Sequence, residues 1–232
     1  AGVKLVRVLG NLTTKAFDPI LMLDSFDSIN PDDYTAGFPM HPHRGIETIS
    51  YVSRGKMVHR DSLGNEAGIS DGEVQWMNSG SGIMHEEMVP AAERLLGVQL
   101  WLNLPAKDKM SKPSYNSIKN EDIKEIEIEG GKIRLLAGKY GEHEGYKGDY
   151  LSMDYYDIHL NADAEVTLTM EEDDSVMVFT LLGDVYIDGE HIEEKTAVKL
   201  TEGDSLTIKN GNEKAQVLYM NSRALNEPVA WA

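Results

Sequence analysis

Short apolar runs, each cut after a few residues by Gly, Asp, Asn or Pro, dominate this chain, and helical periodicity is hard to find in it. From Ile46 the segment IETISYV is rich in β-formers until Arg54-Gly55-Lys56 breaks it. MVHRD follows, and DSLGNEAG turns the chain again. Evenly spaced short strands with such turn chemistry predict an all-β barrel or sandwich. The best helical candidates, Pro90 to Arg94 and Asn120 to Ile123, are short. A length of 232 residues suits one or two domains with a sizeable core.

Composition shifts between Asn103 and Gly131. LPAKDKMSKPSYNSIKNED is lysine-rich with two prolines and reads as a connector. Beyond it, KEIEIEG alternates as a half-exposed strand does, and EVTLTM, VMVFTLL and AQVLYM continue the β pattern. Turns are marked by Asp188-Gly189, Gly203-Asp204 and Asn210-Gly211. The acidic group Glu171 to Asp174 reads as a solvated loop, lacking the oxygen spacing and Gly of a calcium loop. We therefore expect two β-barrels in tandem, residues 1–118 and 119–232, although identity between the halves is too weak to mark a repeat.

The formal charge of −17 argues against a surface that grips phosphate backbones, so no direct nucleic-acid binding is expected. The absence of Cys removes disulfides, thiolate nucleophiles and cysteine-built zinc sites. No apolar stretch has the length of a membrane span or a signal peptide, and a soluble cytoplasmic protein is the expectation.

Chemistry concentrates in the first half. It holds His41, His43, His59 and His85, whereas His143, His159 and His191 look scattered, with no close His or carboxylate pair at strand spacing. On a strand, residues i and i+2 share a face, so His41 projects with His43 and His85 with Glu87. If those strands face each other across a barrel interior, the four side chains converge. Three neutral imidazoles and a carboxylate suit a divalent first-row metal and leave positions open for substrate or dioxygen. A single His-x-His pair reads first as hydrogen-bonded strand histidines; the second pair, behind the glycine-rich turn Asn78 to Gly82, shifts the reading to a metal site. His59 and Asp61 share a face and read first as a polar pair at a hairpin end, with partnership to the metal ligands as the alternative. Glu47 has the parity to reach the metal, and Glu86 the parity to face away.

The motif His41, His43 and Glu47 resembles the first cupin motif, with Gly55 one residue late. Gly80-Ser81-Gly82-Ile83-Met84-His85 stands where the second cupin motif is expected. These departures, with FDPILMLDSF (17–26), HPHRGIETISYV (41–52), HRDSLGN (59–65), GSGIMHEEM (80–88), WLNLP (101–105) and the late Asn226-Glu227-Pro228-Val229, resemble the pirin family along nearly the whole chain. The resemblance implies a bicupin, two antiparallel β-barrels of jelly-roll type packed face to face, with metal only in the N-terminal one. It implies His41, His43, His85 and Glu87 as ligands and leaves Glu47 a supporting role. Longer pirins continue past the Glu-Pro-Val segment, whereas this sequence stops at Ala232.

The family resembles quercetin 2,3-dioxygenases, so the implied activity is cleavage of a flavonol, or a related enol or aromatic substrate, with O2. Glu87 would take the substrate's proton while also a ligand. The implied cofactor is Fe(II), with Mn, Ni, Co, Cu or Zn as alternatives. The other implied role is a non-catalytic iron-binding regulatory protein that docks on a protein partner as a transcription cofactor. A monomer is expected.

Overall fold

The computed structural model describes residues 2–231, which fall into two compact units. The first comprises the chain up to Lys15, Ile20–Asn120 and the segment from Asn226; the second comprises Ala16–Pro19 and Glu121–Leu225.

Ten strands build the first unit: β1 (Val6–Leu9), β2 (Ile20–Ser28), β3 (Phe38–His43), β4 (Ile46–Arg54), β5 (Lys56–Asp61), β6 (Glu66–Ser70), β7 (Glu73–Asn78), β8 (Ile83–Met88), β9 (Leu95–Asn103) and β10 (Ser114–Ile118). They form a six-stranded sheet in the order β1-β2-β9-β4-β7-β10 and a four-stranded sheet in the order β3-β8-β5-β6. Every pairing between them is antiparallel. Alternation sets which face turns inward. In β5, Met57 and His59 are buried while Lys56 and Arg60 are exposed.

The second unit repeats this plan. Its eight strands from Asp154–Leu160 to Ala215–Arg223 correspond in chain order to β2 through β9. They occupy the same spatial order, Asp154–Leu160, Ala215–Arg223, Asp174–Leu182 and Ala197–Leu200 in one sheet. The other holds Glu165–Thr169, Ser205–Asn210, Val185–Ile187 and Glu190–Ile192. Two antiparallel sheets so connected make a jelly roll, the cupin architecture, and it occurs once in each unit. Topology thus reveals a repeat that residue identity does not.

No α-helix occurs among the described residues, and no helix is long and apolar enough to cross a membrane. Asn120–Asp122 forms a short 3-10 turn, whereas Pro90 to Arg94 forms no helix. The lysine-rich connector differs from expectation more usefully. It carries β10, an edge strand registered on β7 with Tyr115 opposite Met77, because its polar and aromatic side chains find partners there. The expected lack of His–carboxylate pairs in the second half is also wrong. Asp157 and His159 share a strand face and hydrogen-bond at 2.9 Å, and Gln216 Nε2 donates to the same buried carboxylate at 2.9 Å.

Candidate metal centre

Strand β3 lies directly beside β8, with His41 opposite His85 and His43 opposite Ile83. The two strands are hydrogen-bonded neighbours in one sheet, not facing strands across a barrel as the sequence suggested. Directly opposed residues in an antiparallel pair point to the same side, so His41, His43 and His85 all turn inward. A β-bulge makes this possible. Phe38 pairs with Glu87 and His41 with His85, so Pro39 and Met40 together oppose the single residue Glu86. In a regular strand Phe38 and His41, three residues apart, would point to opposite faces; the bulge puts both on the inner one. Gly37 opens this strand with φ +66°, and a Cβ there would lie 2.5 Å from the Glu87 carbonyl oxygen, so only glycine fits.

The three imidazoles converge. His41 Nε2 lies 3.0 Å from His43 Nε2 and 3.0 Å from His85 Nε2. Inside the bulge, the Pro39 carbonyl lies 2.6 Å from His41 Nδ1. A carbonyl only accepts, so the proton of neutral His41 sits on Nδ1 and Nε2 presents a lone pair. Burial, with the nearby His41, pushes His43 down to about 4. His85 is pushed down to about 2 by burial and by the neighbouring imidazoles. These rings are neutral donors. His85 is buried, whereas His41 and His43 are half-buried and leave the cluster reachable.

Glu87 is fully enclosed, and its Oε1 lies 3.7 Å from His85 Nε2. Burial drives its carboxyl up to about 7, against hydrogen bonds from Gln99 and Gln75. Gln75 Nε2 donates to Oε2 at 2.6 Å, and Gln99 Nε2 donates to Oε1 at 3.0 Å. Glu86 points away and faces Arg60 at 3.5 Å. Glu47 is buried on β4, where its Oε2 accepts from Trp76 Nε1 at 2.7 Å; it is outside the imidazole cluster.

His59 and Asp61 do form a polar pair at a hairpin end, and the pair also reaches the imidazole cluster. Their side chains are wholly shielded, with His59 Nε2 2.7 Å from Asp61 Oδ2 and His59 Nδ1 3.3 Å from His85 Nδ1. Tyr115 of β10 stacks on His59 at 3.9 Å and 14°. The sequence reading missed Gln75, Gln99 and Tyr115. The available signal was a glutamine inside otherwise apolar strands, in EVQWMN and LLGVQLWLN, where a buried amide implies a polar partner.

The donor set fits a cation. Two ring nitrogens each about 2.1 Å from one ion and at a right angle would lie about 3.0 Å apart, the spacing seen here. His41 Nε2 brings a lone pair to that point with no proton of its own. Among the described residues, His41, His43 and His85 form the one such ligand group.

The family model described as pirin matches residues 2–102, and the pirin C-terminal cupin domain matches residues 155–232. A Pseudomonas aeruginosa protein provisionally named a quercetin 2,3-dioxygenase is 38% identical over 239 residues, covering 99% of this chain and 84% of the relative. Pirin of Homo sapiens is 34% identical over 238 residues, covering 98% of this chain and 79% of its own length. The crystal structure of a quercetin 2,3-dioxygenase from Acinetobacter baumannii superposes with a TM-score of 0.90 at 31% identity, covering 100% of this chain and 84% of that one. With matches in both units and relatives above 30% identity along nearly its whole length, the chain belongs to the pirin family of two-domain cupins.

Proposed function

We propose that this protein holds a divalent metal ion, Fe(II) first among candidates, on His41, His43, His85 and Glu87, and uses it in a quercetin 2,3-dioxygenase-type reaction. The substrate is a flavonol or a related enol or aromatic molecule. One O2 is consumed per substrate, the heterocycle opens and carbon monoxide leaves. The observation that carries the reading is the convergence of three imidazoles on one point, with a buried carboxylate beside them. The names of the P. aeruginosa and A. baumannii relatives support the reaction class.

A bound ion would supply Lewis acidity toward the substrate hydroxyl and open positions for substrate and dioxygen. The chain does the rest. The three imidazoles donate their Nε2 lone pairs, and Glu87 accepts the hydroxyl proton. Gln75 and Gln99 hold the Glu87 carboxylate in place and keep it from swinging away. Trp101 stands edge-on to His43 at 5.5 Å and lies 5.6 Å from Trp231, an aromatic wall suited to a planar substrate.

The test is anaerobic reconstitution with Fe(II), followed by quercetin in air with a His43→Ala control. Loss of flavonol absorbance and release of carbon monoxide in the wild type, both absent in the control, are expected. Bound metal without turnover would move the weight to an iron-binding regulatory protein. A wild type that retains no metal would overturn the ligand assignment.

A further inference from the structure

Asp61 uses its two carboxylate oxygens differently. Its Oδ1 accepts the backbone N–H groups of Leu63 and Asn65 at 2.8 and 3.1 Å, which shapes the β5–β6 turn. Its Oδ2 turns inward, taking Asn65 Nδ2 at 2.9 Å and His59 Nε2 at 2.7 Å. The turn alone needs only the first oxygen. A carboxylate can only accept, so the His59 proton is on Nε2 and its Nδ1 is an acceptor. That Nδ1 faces His85 Nδ1 at 3.3 Å, and across the ladder Asp61 sits opposite His85 and His59 opposite Glu87. The Tyr115 ring fixes the plane of His59.

We propose that Asp61 and His59 are positioning residues, a relay that holds the proton of His85 on Nδ1 and so directs its Nε2 lone pair toward His41 and His43. The alternative tautomer would leave two bare nitrogens, of His59 and His85, facing each other where both side chains are shut off from water. His85 is the one ring of the three that is fully buried, so no solvent proton corrects its orientation. His41 achieves the same end through the Pro39 carbonyl. The purpose of the relay rests on the metal reading above; the tautomer rests on the sealed His59–His85 contact, since the bare Nε2 atoms of His85 and His41, 3.0 Å apart, lie where the half-buried His41 and His43 admit water.

The experiment is long-range ¹H–¹⁵N NMR of the full-length, metal-stripped protein labelled at histidine, with calorimetric Zn(II) titration of the same samples. The wild type should show its bare nitrogen at His85 Nε2. In Asp61→Asn the amide oxygen is needed by the two backbone N–H groups, so the NH2 group faces His59. The His59 proton then moves to Nδ1, and the bare nitrogen of His85 moves from Nε2 to Nδ1. Zinc affinity should fall ten- to a hundredfold. His59→Gln, whose amide can donate to Asp61 and accept from His85, should keep the wild-type tautomer and recover most of that loss. A wild-type proton on His85 Nε2, or an unchanged tautomer in Asp61→Asn, would overturn the relay. If Asp61→Asn does not fold, the wild-type and His59→Gln spectra decide. A wild-type protein with the expected tautomer but no zinc binding would sustain the relay and sink the metal reading instead.

Discussion

The two units share a strand order, yet their interiors are opposite in kind. In the first, the β3–β8–β5 strands present His41, His43, His85, Glu87 and His59 inward. In the second, the strands in the same places, Glu165–Thr169, Ser205–Asn210 and Val185–Ile187, present Val166, Leu168, Leu206, Ile208, Val185 and Ile187. These pack with Ile133, Ile158, Val178, Val217 and Tyr219 into one continuous apolar core. The first unit has its own apolar cluster around Phe26, Tyr34, Met57 and Leu95, and it buries Ile49, Trp76, Val98 and Leu100 besides. Both units bury apolar side chains, but on these equivalent strands the second keeps an apolar filling where the first holds dry polar groups at fixed positions. A jelly roll tolerates both fillings because its topology is set by strand pairing and turns rather than by what fills it.

This contrast can be broken from its strong side first. Ile208→Asp places an unpaired carboxylate in the apolar core and should destabilise the second unit by more than about 4 kcal/mol, read by urea denaturation. Ile208→Ala should cost about 2–5 kcal/mol. His85→Ala, made at the equivalent strand of the first unit in metal-free protein, should cost less than half as much, since the lost ring was desolvated and crowded by like groups. Equal costs in the two units would refute the division of labour. Next comes the ion itself. Adding a divalent metal at a hundredfold excess over its Kd should stabilise the first unit by about 2.7 kcal/mol. Hydrogen exchange should then slow in Phe38–His43 and Ile83–Met88 and stay unchanged in Glu165–Thr169 and Ser205–Asn210. The smallest effect is expected for Tyr115→Phe, which keeps the stack on His59 but loses the hydroxyl's bonds to Gln75 and Ser117, at about 1 kcal/mol by thermal denaturation.

Much of the first unit was legible because strand parity is a local property. The spacing of His41 with His43, and of His85 with Glu87, needs only an extended backbone to put each pair on one face. What the spacing could not supply is which strands are neighbours: β3 and β8 are separated by four strands in the sequence and adjacent in the sheet. The bulge was invisible for a related reason, since Pro39-Met40 reads like any strand until a partner register is fixed. Asp61 was only half legible because a turn-capping aspartate and an inward-facing one have the same sequence signature, and here one residue does both. Tyr115 was hidden by composition, as lysines and prolines around it mask a five-residue edge strand. In the second unit the Asp157–His159 pair was overlooked although it shows the same i, i+2 spacing; its carboxylate is bound up with Gln216 instead of facing other imidazoles.

The bulge in β3 carries a lesson about what kind of genetic change this site can survive. Removing Met40 would restore an even ladder in which Phe38 and His41 still lie on the inner side, so every ligand side chain would be retained and aimed as before. The loss would be the carbonyl of Pro39, which an even ladder turns sideways to its neighbour rather than back to His41. A one-codon deletion would thus leave the ligand set complete on an alignment and still weaken it chemically, by removing the acceptor that favours the proton's place on the ring.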